Sequence, residues 1–274
     1  MTDKFTGSFT QQDPIPQAGI DAALAVMQHG RLHRYNTSGD EIAEAALLEQ
    51  EFAAQTGAKY CLAVASGGYA MTTALRACGV GHGDTVLTNA FTLAPVPGAI
   101  AAVGGKPIFV GVTEDLVIDL GDLAGKLHQA RVLLLSHMRG HICDMTALMD
   151  MCNAAGVTVI EDCAHTMGAA WDGVPSGRWG KFGCYSTQTY KHVNSGEGGL
   201  LISDEDLSLD TTAQSGLVVW FFLCGKKRVH FQVLQARVHC GWRSHPAPVS
   251  LAGTFGEVVV CGAWHKRRSV VERL

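Results

Sequence analysis

Lys191 and Asp162 are the two residues whose types and spacing best suit chemistry. Lys191 lies in Tyr190-Lys191-His192-Val193-Asn194-Ser195-Gly196-Glu197-Gly198-Gly199, twenty-nine positions beyond Asp162 of Val159-Ile160-Glu161-Asp162-Cys163-Ala164-His165. A lysine after a short strand-like run, with an acid ending an earlier apolar strand, suits pyridoxal phosphate chemistry. The amine can hold the cofactor aldehyde as a Schiff base, and the carboxylate can keep the pyridine nitrogen protonated. A full charge about 4 Å from that nitrogen, at an effective dielectric near 20, is worth roughly 4 kcal/mol. That strengthens the nitrogen's hold on its proton about a thousandfold, enough to make the ring an electron sink at neutral pH.

Three further features accompany the pair in chain order. Ser66-Gly67-Gly68 follows the apolar run 60–64 and precedes a helical stretch. The amides of Gly67 and Gly68 at that helix start can hold a phosphate, aided by the helix dipole, although most such turns only satisfy sterics. His165 stands three residues past Asp162, where it can approach the cofactor's 3-hydroxyl or simply pack. Ser186 is a candidate phosphate ligand on the strand leading to Lys191, or an ordinary exposed strand serine. Asp162 and Lys191 have plain alternatives too, a helix cap or surface ion pair and a solvated amine. The weight rests on the order of glycine turn, Asp162, Ser186, Lys191 and the second glycine turn, Gly196-Glu197-Gly198-Gly199.

The elements that must position these groups alternate. Ile20, Leu24 and Met27 recur at helical spacing over 17–29 and stop at Gly30, a natural C-terminal glycine. A second helix is expected over 40–55, ending near Gly57. Apolar runs at 60–64, 85–87, 107–110, 132–136 and 157–161 read as buried strands, separated mostly by helical stretches near 69–78, 94–103, 121–128 and 145–155. Two more strands, near 182–188 and 199–203, flank the lysine. Strands alternating with helices imply a mainly parallel α/β sheet covered on both faces. In such a sheet, ligands bind at the carboxyl ends of the strands.

Composition excludes several classes. The chain has 274 residues, 47% hydrophobic and 17% charged, which suits a globular protein with a substantial core. No apolar run approaches the roughly 18 residues that span a bilayer, and Met1-Thr2-Asp3-Lys4-Phe5 does not read as the start of a signal peptide. Nine cysteines without a CxxC pair read as reduced cytosolic thiols. A cytoplasmic setting is expected, with no metal site and neither nucleic acid nor membrane as partner. Charge is uneven: residues 1–210 hold 12 Lys+Arg against 23 Asp+Glu, and residues 211–274 hold 9 against 2. Three of the five tryptophans, Trp220, Trp242 and Trp264, also fall in this basic tail, to which no function is assigned.

The motifs together resemble the DegT/StrS-type aminotransferases, fold type I pyridoxal phosphate enzymes that aminate keto-sugars. The resemblance covers about residues 15–207. Ala65-Ser66-Gly67-Gly68, Gly81-His82-Gly83-Asp84-Thr85-Val86, Gly140-His141-Ile142-Cys143-Asp144-Met145, Glu161-Asp162-Cys163-Ala164-His165, Gly183-Cys184-Tyr185-Ser186 and Lys191 with its glycine turn carry it. It implies that Lys191 binds the cofactor aldehyde, Asp162 pairs with the pyridine nitrogen, and His165 lies near the 3-hydroxyl. Ser186 and the Gly67 and Gly68 amides would hold the phosphate. The implied reaction passes nitrogen from glutamate or glutamine to a keto-sugar, often nucleotide-linked, or to a keto-cyclitol. A homodimer is implied as well. A dehydratase branch has histidine in place of the lysine, so Lys191 favours transamination. A non-catalytic protein keeping the cofactor pocket, or a fold type I lyase or dehydratase, is the alternative.

Three departures stand out. Gly68 replaces the family's usual threonine. Leu93 occupies the position where an aromatic commonly stacks on the cofactor ring, unless Phe91 substitutes. Residues 211–274 resemble none of the family's C-terminal small domain. The division expected is therefore a cofactor-binding large domain over 1–210, followed by an atypical, poorly packed tail with the small domain missing. A departure of the reading frame near Asp210 is the expected cause.

Overall fold

The computed structural model describes residues 14–32 and 39–205. The readings made for residues 211–274 lie outside the described residues. Six helices are described: α1 (Gln17–His29), α2 (Glu44–Thr56), α3 (Gly67–Ala77), α4 (Pro95–Ala102), α5 (Leu120–Lys126) and α6 (Met145–Ala154). The strands are β1 (Tyr60–Val64), β2 (Thr85–Asn89), β3 (Lys106–Val110), β4 (Val132–Ser136), β5 (Thr158–Asp162), β6 (Ala170–Trp171), β7 (Val174–Pro175), β8 (Phe182–Ser186) and β9 (Gly199–Ser203). Seven of them form one sheet in the order β1-β9-β8-β5-β4-β2-β3. β9 is antiparallel to β1 and β8, and every other pairing in the sheet is parallel. This is the mainly parallel α/β architecture that the alternating pattern implies.

Side chains leave the strands alternately to two faces. On β4, Val132 and Leu134 join one apolar cluster with Ala70, Met71, Ala74 and Leu75 of α3. Leu133 and Leu135 join the other, with Leu123 of α5 and Leu148 of α6. Ala70 and Ala74 are small enough to seat α3 closely on the sheet, and Leu75 is fully buried there. Truncating Leu75 to alanine would cost about 2–5 kcal/mol, by loss of transfer energy and creation of a cavity.

Three details differ from the sequence expectation. β1 and β3 are not buried strands. They form the sheet's two edges, β1 partly exposed along its length and β3 exposing Lys106 and Phe109, because an edge strand has a neighbour on one side only. α2 starts at Glu44 rather than near Asp40, since residues 39 and 40 form a turn and Ala43 is extended. The hairpin of β6 and β7 was not anticipated. Its signal is Asp172-Gly173, both at positive φ, the two-residue turn that matches strand twist.

The thiols of Cys78, Cys143, Cys152, Cys163 and Cys184 form no disulfide. Burial pushes those of Cys78 and Cys143 up to about 12, so they stay protonated and unreactive. Among the described residues, no helix is long and apolar enough to cross a membrane.

Candidate active site

Four parallel strands end on a polar residue at the same edge of the sheet: β2 on Asn89, β4 on Ser136, β5 on Asp162 and β8 on Ser186. All four are buried, with exposures of 1%, 5%, 7% and 9%. Burying a polar side chain costs free energy unless it finds partners, so four such strand ends at one edge mark it as a candidate site. This edge is the carboxyl end of the parallel strands, where open α/β sheets bind ligands.

The Ser66-Gly67-Gly68 turn is the first turn of α3. Ser66 caps it, its hydroxyl accepting from the Tyr69 amide at 3.0 Å. The amides of Gly67 and Gly68 occupy the first two helical positions, which have no intrahelical partner and point out along the positive end of the dipole. Ser186 sits directly beside them. A β-carbon on Gly67 would come within 2.9 Å of the Ser186 β-carbon, so glycine is required for this approach. Gly199 meets the turn from the other side. A β-carbon there would lie 2.5 Å from the Ser66 carbonyl carbon and 2.6 Å from the Gly67 nitrogen. The two glycine turns singled out in the sequence are thus packed on each other, with Ser186 at their junction.

Lys191 lies in the loop between β8 and β9. The Thr187 amide donates to the Gly198 carbonyl, the Ser195 amide to Thr187, and the Thr189 amide to Gly196, so the loop continues the strand pairing outward. Its tip folds back where the Lys191 amide bonds the Gln188 carbonyl at 2.8 Å. Lys191 is half-buried while residues 192–197 are exposed. The amine is 2.8 Å from His165 Nε2. An ammonium only donates, so with Lys191 charged the His165 Nε2 accepts and Nδ1 carries the proton.

Electrostatics bind the group together. Burial holds the Lys191 amine below its usual 10.5, the Asp162 carboxylate opposes this, and the Arg139 guanidinium adds to the lowering. Burial and then the Lys191 charge hold His165 below its usual 6.5, with Asp162 again opposing. The negative charge of Asp162 therefore reaches both the amine and the imidazole. Asp162 itself accepts from the Ser136 hydroxyl at 2.9 Å and from the Ala164 amide at 3.2 Å.

Of the residues expected from sequence, the structure brings together Lys191 with His165 within Asp162's field, and Gly67 with Ser186. Gly68 adjoins that second group through the turn. Leu93 is different. It is 44% exposed, just ahead of α4.

Sequence reasoning missed four neighbours. Ser136 carries a signal that was available, a lone polar residue closing an apolar strand, and Asn89 closes β2 after Thr88. Arg139 has φ 58°, uncommon for a side chain outside turns, and nothing in its sequence context marks it. The fourth is His137. Its Nε2 is 3.0 Å from Glu161 Oε2, with both side chains buried. Glu161 leaves β5 on the face opposite Asp162, and its oxygens also take the amides of Gly177, Trp179 and Gly180. His137, Glu161 and Cys163 offer ligand atoms within 4.8 Å of one another. The carboxylate is already saturated by these four partners, so the cluster ties the 176–180 loop to β5.

Comparison with known proteins gives a consistent picture. Residues 17–234 match the model described as the DegT/DnrJ/EryC1/StrS aminotransferase family, a span that continues past Asp210. The chain is 31% identical over 199 residues to the L-glutamine:2-deoxy-scyllo-inosose aminotransferase of Streptomyces fradiae, covering 71% of this chain and 47% of that one. It is 32% identical over 165 residues to the GDP-perosamine synthase of Vibrio cholerae, covering 60% and 45%. The chain thus spans about half the length of the curated relatives it matches. An aminotransferase structure from Psychrobacter cryohalolentis superposes with a TM-score of 0.69 at 24% identity, over 82% of this chain and 58% of that one.

Proposed function

The chain belongs to the DegT/DnrJ/EryC1/StrS aminotransferase family, and we propose that it supplies the cofactor site for amination of a keto-sugar or keto-cyclitol. Enzymes of this family use pyridoxal phosphate. When bound, that group draws electrons from the amino donor's α-carbon, which makes the α-proton removable. The observation that carries the proposal is the amine of Lys191 bonded to His165, inside the field of the acid that closes β5.

The residues present fit the cofactor. The helix-start amides of Gly67 and Gly68 stand against Ser186, so close that a β-carbon on Gly67 would lie 2.9 Å from the Ser186 β-carbon. An anion of phosphate's size and charge suits such a helix start. Asp162 is assigned to the ring nitrogen, since a buried carboxylate beside it would strengthen that nitrogen's hold on its proton. His165 is assigned to the 3-hydroxyl, because its imidazole touches the amine that takes the aldehyde and the two substituents adjoin on the ring. Leu93 is assigned to the ring's face.

Lys191 has two tasks. Its lowered pKa enlarges the neutral fraction of the amine, the form that attacks an aldehyde. Once the donor's amine has displaced it, Lys191 Nζ takes the proton from the donor's α-carbon, and in the second half returns a proton to the acceptor carbon. Glutamate or glutamine is the proposed donor. The relatives named above are an L-glutamine-dependent cyclitol aminotransferase and a GDP-sugar synthase, and both substrate types are proposed on that basis. A cytoplasmic homodimer is the proposed setting. The division at Asp210 with a departure of reading frame is likewise a proposal, checked by resequencing the gene from that codon.

The test is direct. Purified protein incubated with pyridoxal phosphate should retain it through gel filtration and absorb visible light. Lys191→Ala should lose the absorbance, and glutamate should release 2-oxoglutarate in proportion to bound cofactor. Protein that retains the cofactor but releases no keto acid would point to a binder rather than a transaminase.

A further inference from the structure

Asp162 does not hold its place alone. Asn89, 1% exposed at the end of β2, spends every polar atom of its side chain on two neighbours. Oδ1 accepts the Ser136 amide at 2.8 Å, and Nδ2 donates to the Ser136 carbonyl and the Phe91 carbonyl, each at 3.0 Å. A primary amide offers two donors and an acceptor, and all are used. The register explains why. Ladder pairing of β2 with β4 covers only Leu87↔Leu133 and Thr88↔Leu134, so beyond that point the Asn89 side chain takes over the role of a strand neighbour. With its peptide groups fixed, Ser136 can aim its hydroxyl at Asp162 Oδ2, 2.9 Å away, across the Ser136↔Asp162 register of β4 and β5.

We propose that Asn89 and Ser136 are positioning residues that hold the Asp162 carboxylate in place and aimed at the cofactor ring. The inference rests on the reading of Asp162 as partner of the ring nitrogen. Ser136 and the Ala164 amide occupy one position on each oxygen, leaving the remaining lone pairs for the ring. The same Asn89 amide holds Phe91, two residues before Leu93. One side chain thus fixes both the acid assigned to the ring's edge and the segment assigned to its face.

The experiment compares Ser136→Ala, Ser136→Thr and Asn89→Ala in the full chain, with wild type and Asp162→Asn as references. Three quantities are read: cofactor affinity by equilibrium dialysis, the pH dependence of bound-cofactor absorbance, and the Tm of cofactor-free protein. Losing one hydrogen bond to a charged group should weaken cofactor binding about tenfold in Ser136→Ala. Its absorbance profile should move towards that of Asp162→Asn with little change in Tm, and Ser136→Thr should restore both. Asn89→Ala should shift the profile the same way while also lowering Tm. Should Ser136→Ala match wild type in affinity and profile while Asp162→Asn does not, the inference is overturned and the reading of Asp162 stands. Wild-type protein that takes up no cofactor overturns the reading and the inference together.

Discussion

The Lys191 amine and the His165 imidazole stand 2.8 Å apart, although 26 residues separate them in the chain. β5 and β8 lie side by side, so the segment after Asp162 and the loop after Ser186 open onto the same edge of the sheet. Burial holds both groups below their usual values; the Lys191 charge adds to the lowering at His165, and the Arg139 guanidinium adds to it at Lys191. The chemical result is an amine and an imidazole both biased towards neutrality. The sheet's topology brings the two groups together, and burial at that edge is the larger part of the bias.

Acid should destabilise the cofactor-free protein through His165. Its folded pKa lies below the ordinary 6.5, so near and just below that pH the unfolded chain binds more protons than the native one. Stability therefore rises with pH up to about 6.5 and is lost as pH falls below it. Thermal unfolding followed across that range should show a steeper loss for wild type than for His165→Gln. Equal slopes would assign the acid sensitivity elsewhere. Lys191 acts in the same direction at higher pH, its contribution growing as pH rises towards 10.5.

Gly199 packs against the Ser66-Gly67 turn that is assigned to the phosphate. Alanine there places a β-carbon against backbone atoms of Ser66 and Gly67, which cannot rotate away. Gly199→Ala should cost about 1–3 kcal/mol of stability, as other forced overpacking does. It should also weaken binding of pyridoxal phosphate more than that of pyridoxal, since the displaced amides are the ones assigned to the phosphate. Competition dialysis with the two compounds separates these effects.

Glu161→Gln tests the opposite face of β5. The carboxylate accepts from Gly177 and His137 on one oxygen and from Trp179 and Gly180 on the other. An amide nitrogen at either position meets donors with a donor. A loss of about 3 kcal/mol is expected, measured by urea unfolding. Protease nicking should increase within 176–180.

Arg139 stores strain. At φ 58° and ψ 18°, its β-carbon is in a region that glycine enters freely. Arg139→Gly should stabilise the protein by up to about 1 kcal/mol, the relieved strain exceeding the added chain entropy. The same change removes a positive charge that lowers the Lys191 pKa, so the amine's titration should move up. Stability and amine reactivity would then change in opposite directions.

The legible part of this molecule is what local pattern dictates. Continuous apolar runs placed β1, β4 and β9 at their observed limits, and Gly30 ended α1 where expected. In the candidate site, Lys191, Asp162 and Gly67 stood out in the sequence because each is a distinctive residue type beside a turn. It was not legible where function lies in what a side chain reaches across the sheet. Asn89 and Ser136 are 47 residues apart, and only the β2–β4 pairing makes them neighbours. Glu161 and Asp162 are adjacent in sequence, yet the period of a strand sends one to tie a loop and the other to the site. Edge strands misread as buried ones reflect the same limit, because position in a sheet is a property of topology.

The most direct test of the central claim is to locate the covalent bond. Pyridoxal phosphate is added near neutral pH, the adduct is trapped by borohydride reduction, and its position is found by peptide mass spectrometry. A single stoichiometric label on Lys191, lost when inorganic phosphate competes at high concentration, is the predicted result. Label spread over exposed lysines such as Lys106, or concentrated on any lysine other than Lys191, would contradict the account.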